Sequence, residues 1–454
     1  MEKESLRRLR IHPAVFYRQY DNYLILYHTG QKKVFTFTET AGDILDCFHD
    51  FCTVEKAAEQ LKQIYRVDSI EEFESNILEF ICEMVEKDIL QQEYKQIVHR
   101  NTLENEISRS LTGGSHLYSA TLELTYKCNE KCRHCYVVGE KRQELTTGKI
   151  KAVLNELYDM NVFNLIFTGG EIFTRKDCFD ILEYAYSKRF LMDIFTNGTL
   201  LDGMDYIRLK SCHPRCVHFS VYSHIPQKHD AVTQTPGSFE KTIKAIEACS
   251  IIGIPVNIKT PVFDETIDDI EGMVRLAETL SASIELGQNI TPKKDGNLKP
   301  TALKISGEEK DNRVHYAIKN LIKTVGNETD KKQVSEKLCG AGDHSISINP
   351  YGQVYPCNLL QLCIGDVIRQ PIREIWEKSD VLKWWRENNR RSRKKGCANC
   401  ELIERCIFCP GEAMMRKGDP LEMYEDACLT TKYVVNREAG KGGKLNGTKV
   451  KSIY

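Results

Sequence analysis

Three cysteines stand within eight residues, Cys128-Asn129-Glu130-Lys131-Cys132-Arg133-His134-Cys135, a C-x3-C-x2-C spacing. Three thiolates in one loop can hold three corners of a cubane iron–sulfur cluster and leave the fourth iron open to a substrate or cofactor. A structural zinc ion wants a fourth protein ligand. His134 is the candidate, although its place inside the loop makes that awkward. A second set lies downstream: Cys339, Cys357, Cys363, Cys397, Cys400, Cys406, Cys409 and Cys428. Its C-x2-C pairs, 397/400 and 406/409, suit zinc ribbons and iron–sulfur clusters alike. The other seven of the 18 cysteines (Cys47, Cys52, Cys82, Cys178, Cys212, Cys216, Cys249) read as packed or free thiols. Cys212 and Cys216, with His213 between them, form one further pair that no neighbour completes.

Composition narrows the setting. A disulfide-stapled secreted domain is short and carries a signal peptide. This chain has 454 residues and begins MEKESLRRLR, charged and without an apolar stretch. No run approaches the length of a membrane span. The expectation is a reducing cytoplasm, where clustered cysteines read as metal or cluster ligands first. The 63 basic and 64 acidic residues leave a formal charge of −1, which argues against bulk attraction to nucleic acid.

The elements that must position these residues fall into three textures. Residues 14–20, 24–27 and 34–37 read as three short strands. A helix capped by Thr38 or Thr40 follows, then one capped by Thr53, then one over 70–90 with Ile70, Phe73, Ile77, Phe80, Ile81 and Met84 at helical spacing. Three strands then three helices resemble the winged-helix-like recognition element of enzymes that modify ribosomal peptides. A winged helix of another purpose, DNA binding included, has the same order, but the third helix is acidic, a poor surface for phosphates. From residue 117 strand-like runs at 120–125, 162–168, 191–196, 217–222, 256–261 and 283–287 alternate with helical segments, the rhythm of βαβ units and a parallel sheet. Six units are too few for a closed eight-fold barrel, so a partial barrel is expected, with functional residues at the C-terminal strand ends. Near residue 345, Pro350-Tyr351-Gly352 marks a hairpin inside the cysteine-rich segment. The resulting division is 1–95 recognition domain, 96–116 linker, 117–300 barrel, 301–333 bridging region, 334–435 cysteine-rich domain and 436–454 disordered basic tail.

The cysteine triplet just past the first barrel strand resembles the radical S-adenosylmethionine (SAM) enzymes. The resemblance extends to Gly169-Gly170-Glu171 after the second strand, whose backbone and carboxylate hold the methionine amino group in that family. The usual following proline is Ile172 here. It implies a (βα)6 TIM-like radical SAM barrel with a [4Fe-4S] cluster on Cys128, Cys132 and Cys135. His134, Tyr136, Thr196, Asn197, Ser220, Tyr222 and Lys259 are further candidates for contacts to SAM. The downstream cysteines resemble the SPASM extension, which binds two auxiliary clusters. That resemblance implies Cys339, Cys357 and Cys409 on a nearer cluster, with Cys363 a possible fourth ligand. Cys397, Cys400, Cys406 and Cys428 would hold a farther one. The family spaces its matching cysteine one residue further than Cys409 stands from Cys406.

An N-terminal recognition unit, radical SAM barrel and SPASM tail together resemble maturases of ribosomally made peptides. Ser220-Val-Tyr-Ser223, His229-Asp230-Ala-Val-Thr233, Gly237-Ser238-Phe239, Ile290-Thr291-Pro292 and Asp295-Gly296 look most like the thioether-forming members, which make sactipeptides and ranthipeptides. The implied activity uses a 5′-deoxyadenosyl radical to join a cysteine sulfur of a precursor peptide to an α- or β-carbon. The peptide's leader would dock on the N-terminal unit, and a flavodoxin or ferredoxin would supply electrons. Carbon–carbon crosslinking or side-chain oxidation are nearby alternatives. A non-catalytic zinc-binding scaffold for peptide or nucleic acid is the alternative of a different class.

Overall fold

A computed structural model describes residues 9–12, 14–20, 23–49, 52–66, 69–91, 116–287, 290–321 and 336–438. The expected linker, most of the tail and part of the bridging region lie outside the described residues.

The N-terminal strands form an antiparallel sheet of β2 (Val15–Tyr20), β3 (Tyr23–His28) and β4 (Lys33–Thr38). Two residues join β2 to β3, and the pairing runs from Val15↔His28 to Tyr20↔Tyr23. Helices α1 (Thr40–Asp46), α2 (Val54–Leu61) and α3 (Ile70–Glu86) follow. Thr53 caps α2 as expected, its side chain accepting from Lys56 N. Neither Thr38 nor Thr40 caps α1. Glu39 takes that position, and the two threonine hydroxyls bond each other at 3.0 Å. The third helix stops at Glu86 rather than running on to residue 90. The chain there turns into β5 (Leu90–Gln91), which pairs with β1 (Arg10–Ile11) and closes the domain. Leu24, Leu26, Leu45, Leu61, Ile81 and Met84 fill its core.

The barrel strands are β6 (Ser119–Thr125), β7 (Asn164–Gly169), β8 (Leu191–Thr196), β9 (Cys216–Ser220), β10 (Val256–Pro261) and β11 (Ser283–Gly287). All pair in parallel and in chain order. Their side chains alternate between two faces. Leu122, Phe167, Ile194, Phe219 and Ile258 pack in one core with Leu154, Leu182 and Ile246 of the intervening helices. Glu123, Asp193, His218 and Asn257 are buried on the opposite, polar face. Helices thus cover one face of the sheet, and the other lines an interior.

The cysteine-rich segment is not an independent hairpin. Its strand β12 (Ser345–Ile348) adds to the barrel sheet, parallel to β6, and β13 (Gln353–Tyr355) and β14 (Gly365–Asp366) extend it antiparallel. The turn at Gly352, with φ of 91°, sits where Pro350-Tyr351-Gly352 placed it. The Tyr351 hydroxyl accepts from Glu140 N at 2.7 Å and so ties the hairpin to the loop that follows the cysteine triplet.

The N-terminal sheet docks where the barrel strands begin. Phe16, Tyr20, Ile25 and Tyr27 pack with Tyr118, Phe163 and Leu191, which precede or start β6, β7 and β8. Arg18 anchors this contact. It is buried and donates from Nε to Val162 O at 2.8 Å and from Nη2 to Lys188 O at 3.2 Å. The N-terminal unit therefore sits at the end opposite the cysteine triplet.

Candidate active site

The triplet loop leaves the C-terminal end of β6 and is held from several sides. Lys131 N donates to Thr233 O (3.1 Å) and Arg133 N to Val232 O (3.0 Å), at the end of the helix Pro226–Thr233. Cys135 N turns back to Cys132 O (3.1 Å). Burial pushes the Cys128 thiol up to about 11, and the Cys132 thiol higher still, with Glu130 and Cys135 adding to it. Such thiols become thiolates only where a cation compensates them, which is the environment of a metal or cluster ligand.

All 18 cysteines are free. Among the described residues no three cysteine thiols lie within 4.8 Å of one another, and only His12, His28 and Asp88 form such a group. A single tetrahedral zinc at 2.3 Å from each sulfur needs thiols about 3.8 Å apart. The wider spread fits a polynuclear cluster, which divides its ligands among several irons. His134 does not complete a zinc sphere. Its ring packs against Tyr222 (4.7 Å between centroids) and Phe263 (5.4 Å), and burial holds it down at about 4. Its Nδ1 is a buried atom without a hydrogen-bond partner.

Gly169 and Gly170 bring β7 against the residues leading into the triplet. Gly170 N donates to Thr125 O (2.7 Å) and Glu171 N to Lys127 O (2.8 Å). Gly169 has a φ of 144°, and a Cβ there would stand 2.2 Å from Thr125 O. Only glycine permits that approach. The Glu171 carboxylate is fully buried. It accepts from Thr196 Oγ1 (2.9 Å to each oxygen), Asn197 N (2.7 Å) and Phe173 N (3.1 Å). Burial raises its pKa against the pull of these donors. The carboxylate thus ties the ends of β7 and β8 together. Asn197 in turn donates to Asn129 Oδ1 (3.0 Å) inside the triplet loop.

Of the remaining expected residues, Tyr222 brings its hydroxyl to 3.9 Å from Cys132 Sγ. Ser220 ends β9 beside it. Lys259 faces Ser220 across the β9–β10 register but is salt-bridged to Glu285 on β11, so its ammonium is already matched. Tyr136 lies on the other side, its hydroxyl accepting from Asn358 Nδ2 (3.1 Å), next in sequence to Cys357. The spacing pattern missed the buried Lys294–Glu123 pair (2.7 Å) beside it, because the partners are far apart in sequence.

The downstream thiols separate into two groups. Burial raises Cys339 to about 12, with the thiols of Cys357 and Cys409 adding to it. Burial likewise raises Cys428, with Cys406, Cys397 and Cys400 adding. Cys363 is exposed, with its thiol 3.4 Å from Gly365 O.

The radical SAM superfamily model matches residues 122–277, that of an iron–sulfur cluster-binding SPASM domain residues 339–401, and that of coenzyme PQQ synthesis protein D residues 23–90. The antilisterial bacteriocin subtilosin biosynthesis protein AlbA of Bacillus subtilis is 30% identical over 312 residues, 64% of this chain and 67% of that protein. The chain belongs to the radical SAM superfamily. Its cofactors are accordingly SAM and iron–sulfur clusters, which the thiol groups and the orphaned His134 Nδ1 fit. Another relative, the AdoMet-dependent heme synthase of Methanosarcina barkeri, is 28% identical over 66% of this chain and 93% of its own length. The solved structure of SuiB of Streptococcus suis bound to precursor peptide SuiA shares the radical SAM fold with a TM-score of 0.60. It is 14% identical and covers 93% of this chain and 99% of that one. Among the described residues of this radical SAM protein, no helix is long and apolar enough to cross a membrane.

Proposed function

We propose that this chain matures a ribosomally synthesised precursor peptide by linking a cysteine sulfur to the α- or β-carbon of another residue. One observation carries the reading. Cys339 feels the thiols of Cys357 and Cys409, and Cys363 is exposed with its thiol turned to Gly365 O. A three-thiol site has room for a substrate sulfur among its ligands, and ligation favours the thiolate that bond formation needs. The similarity to a subtilosin biosynthesis protein and to a structure holding a precursor peptide supports a peptide substrate.

The residues have distinct tasks in this reading. Cys128, Cys132 and Cys135 hold the SAM-site cluster. The backbone at Gly169 and Gly170, with His134, Tyr136, Asn197, Ser220 and Tyr222, surrounds SAM. Together these cofactors supply a carbon-centred radical able to remove hydrogen from an unactivated carbon. Tyr222 and Phe263 pack buried rings against His134 beside the triplet loop. The nearer auxiliary cluster falls to Cys339, Cys357 and Cys409, and the farther to Cys397, Cys400, Cys406 and Cys428. The leader adds a strand to β4, which among the described residues pairs with β3 alone and forms one edge of the sheet. A flavodoxin or ferredoxin delivers electrons.

The test incubates anaerobically reconstituted enzyme with reductant, SAM and a cysteine-containing precursor peptide. A loss of two hydrogens per link, with the cysteine no longer alkylatable, is expected. The same mass loss with free thiols would replace the thioether by a carbon–carbon link. Protein that carries zinc and no acid-labile sulfide would remove the catalytic reading altogether.

A further inference from the structure

Lys394 is 7% exposed. Its ammonium stands 3.0 Å from Cys406 Sγ and 4.3 Å from the centre of the Phe408 ring. Among the described residues no carboxylate pairs with it, whereas its neighbour Lys395 is salt-bridged to Asp419. A buried ammonium without a counter-charge is costly, and a cation–π contact offsets only part of that. The negative charge within its reach is thiolate. Cys406 is in direct contact, and Lys394 opposes the effect of burial on Cys428. The geometry is fixed, because Arg391 Nη1 donates to Cys406 O (3.0 Å) and Ile403 O (2.9 Å). Thr431 Oγ1, 3.8 Å from the same sulfur, is turned to Ala427 O at 2.7 Å, which leaves Lys394 as the strong donor.

The nearer thiol group differs. Lys294, which lies near Cys357, is matched by Glu123, and Lys304, which lies near Cys409, by Glu412 (2.6 Å) and Asp426 (3.0 Å). Cations stand beside both groups; Lys294 and Lys304 beside the nearer one are paired with carboxylates, whereas among the described residues Lys394 beside the farther one is not.

We propose that Lys394 raises the reduction potential of the farther auxiliary cluster above that of the nearer one, by donating to Cys406 Sγ and acting as that cluster's buried counter-cation. This rests on the reading that Cys397, Cys400, Cys406 and Cys428 hold an iron–sulfur cluster. A fixed positive charge favours the more negative, reduced state of a cluster, and hydrogen bonds to its sulfurs act in the same direction.

The test is an EPR-monitored redox titration of the full-length, reconstituted protein. Cys128, Cys132 and Cys135 are replaced by Ala so that only the auxiliary clusters report. Two midpoints are expected. Lys394→Met should lower the upper one, cutting the reduced-to-oxidised ratio at fixed potential at least tenfold, about 59 mV for one electron. The lower midpoint should stay in place, and Lys394→Arg should restore the upper one. Lys394→Gln retains a hydrogen-bond donor without the charge and should fall between Lys394→Met and the unsubstituted protein. Unchanged midpoints in the Met and Gln variants, at full iron and sulfide content, would overturn the role of Lys394. If Met and Gln lose half the iron while Arg keeps it, the counter-cation role stands. Equal loss in all three would overturn it in favour of a packing role. Zinc without sulfide in the unsubstituted tail would overturn the cluster reading itself, an outcome distinct from failure of the Lys394 proposal.

Discussion

Lys294 Nζ lies 2.7 Å from Glu123 Oε2, and both side chains are almost wholly buried between the barrel interior and the cysteine-rich segment. Tyr126 completes the triangle, its hydroxyl donating to Glu123 (2.8 Å) and accepting from Lys294 (2.6 Å). Lys294 N also donates to Tyr136 O (2.9 Å), directly after the triplet. Removing one member of such a pair leaves the other as a buried, uncompensated charge. Lys294→Met should therefore destabilise the protein by about 3–5 kcal/mol in chemical denaturation. The double variant Glu123→Leu with Lys294→Met should recover a large part of that loss.

Arg18 is the corresponding anchor between the N-terminal unit and the barrel. Its guanidinium stacks over Tyr158 (5.0 Å) and Phe190 (4.8 Å) while holding two barrel carbonyls. Arg18→Met should cost about 2–4 kcal/mol and let the N-terminal unit unfold first. Calorimetry should show one transition splitting into two.

Each thiol group should lose its metal separately. Replacing Cys128, Cys132 and Cys135 with Ala should abolish SAM cleavage and leave the auxiliary cluster signals. Within the tail, Cys409→Ser should lower the iron content of the reconstituted protein. Cys363→Ser should not, if the nearer site is held by three thiols, because the exposed Cys363 thiol is turned to Gly365 O. Iron and sulfide analysis of the two variants decides the point.

His218 gives the interior an acid-sensitive member. Burial holds it at about 3, helped by the nearby Lys259 and Arg215. Its ring stacks on Phe195 at 4.4 Å. The folded-state value lies below the unfolded one near 6.5, so the unfolded chain takes up the proton first. The contribution to stability is full above about 6.5 and falls as pH drops toward 3, by up to about 1.4 kcal/mol per unit. His218→Gln should flatten that limb of a denaturation series run from pH 7 to pH 4 relative to the unsubstituted protein.

Strand and helix periodicity reached the six barrel strands and the three N-terminal ones because each is a local pattern. The cysteine spacings named the chemistry, since three or four thiols near one another in sequence have few other uses. Thr53 was readable as a cap for the same reason, as capping acts over three residues. The α1 cap and the end of α3 were not, because pairing of β1 with β5 and packing against the sheet compete with local preference there. The enclosure of Glu171 by Thr196 and Asn197, and the pairing of Lys259 with Glu285, join different strands, so no spacing announces them. The same holds for the addition of β12 to β6 and the docking of Arg18 on carbonyls from two barrel loops. The sequence by itself determined which residues can carry the chemistry and which elements they sit on, because ligand type and periodicity are local properties. The tertiary structure alone decided which thiols group together, which carboxylate stays occupied and which lysine is left without a carboxylate. Those depend on Coulomb and hydrogen-bond contacts that only folding brings within a few ångströms.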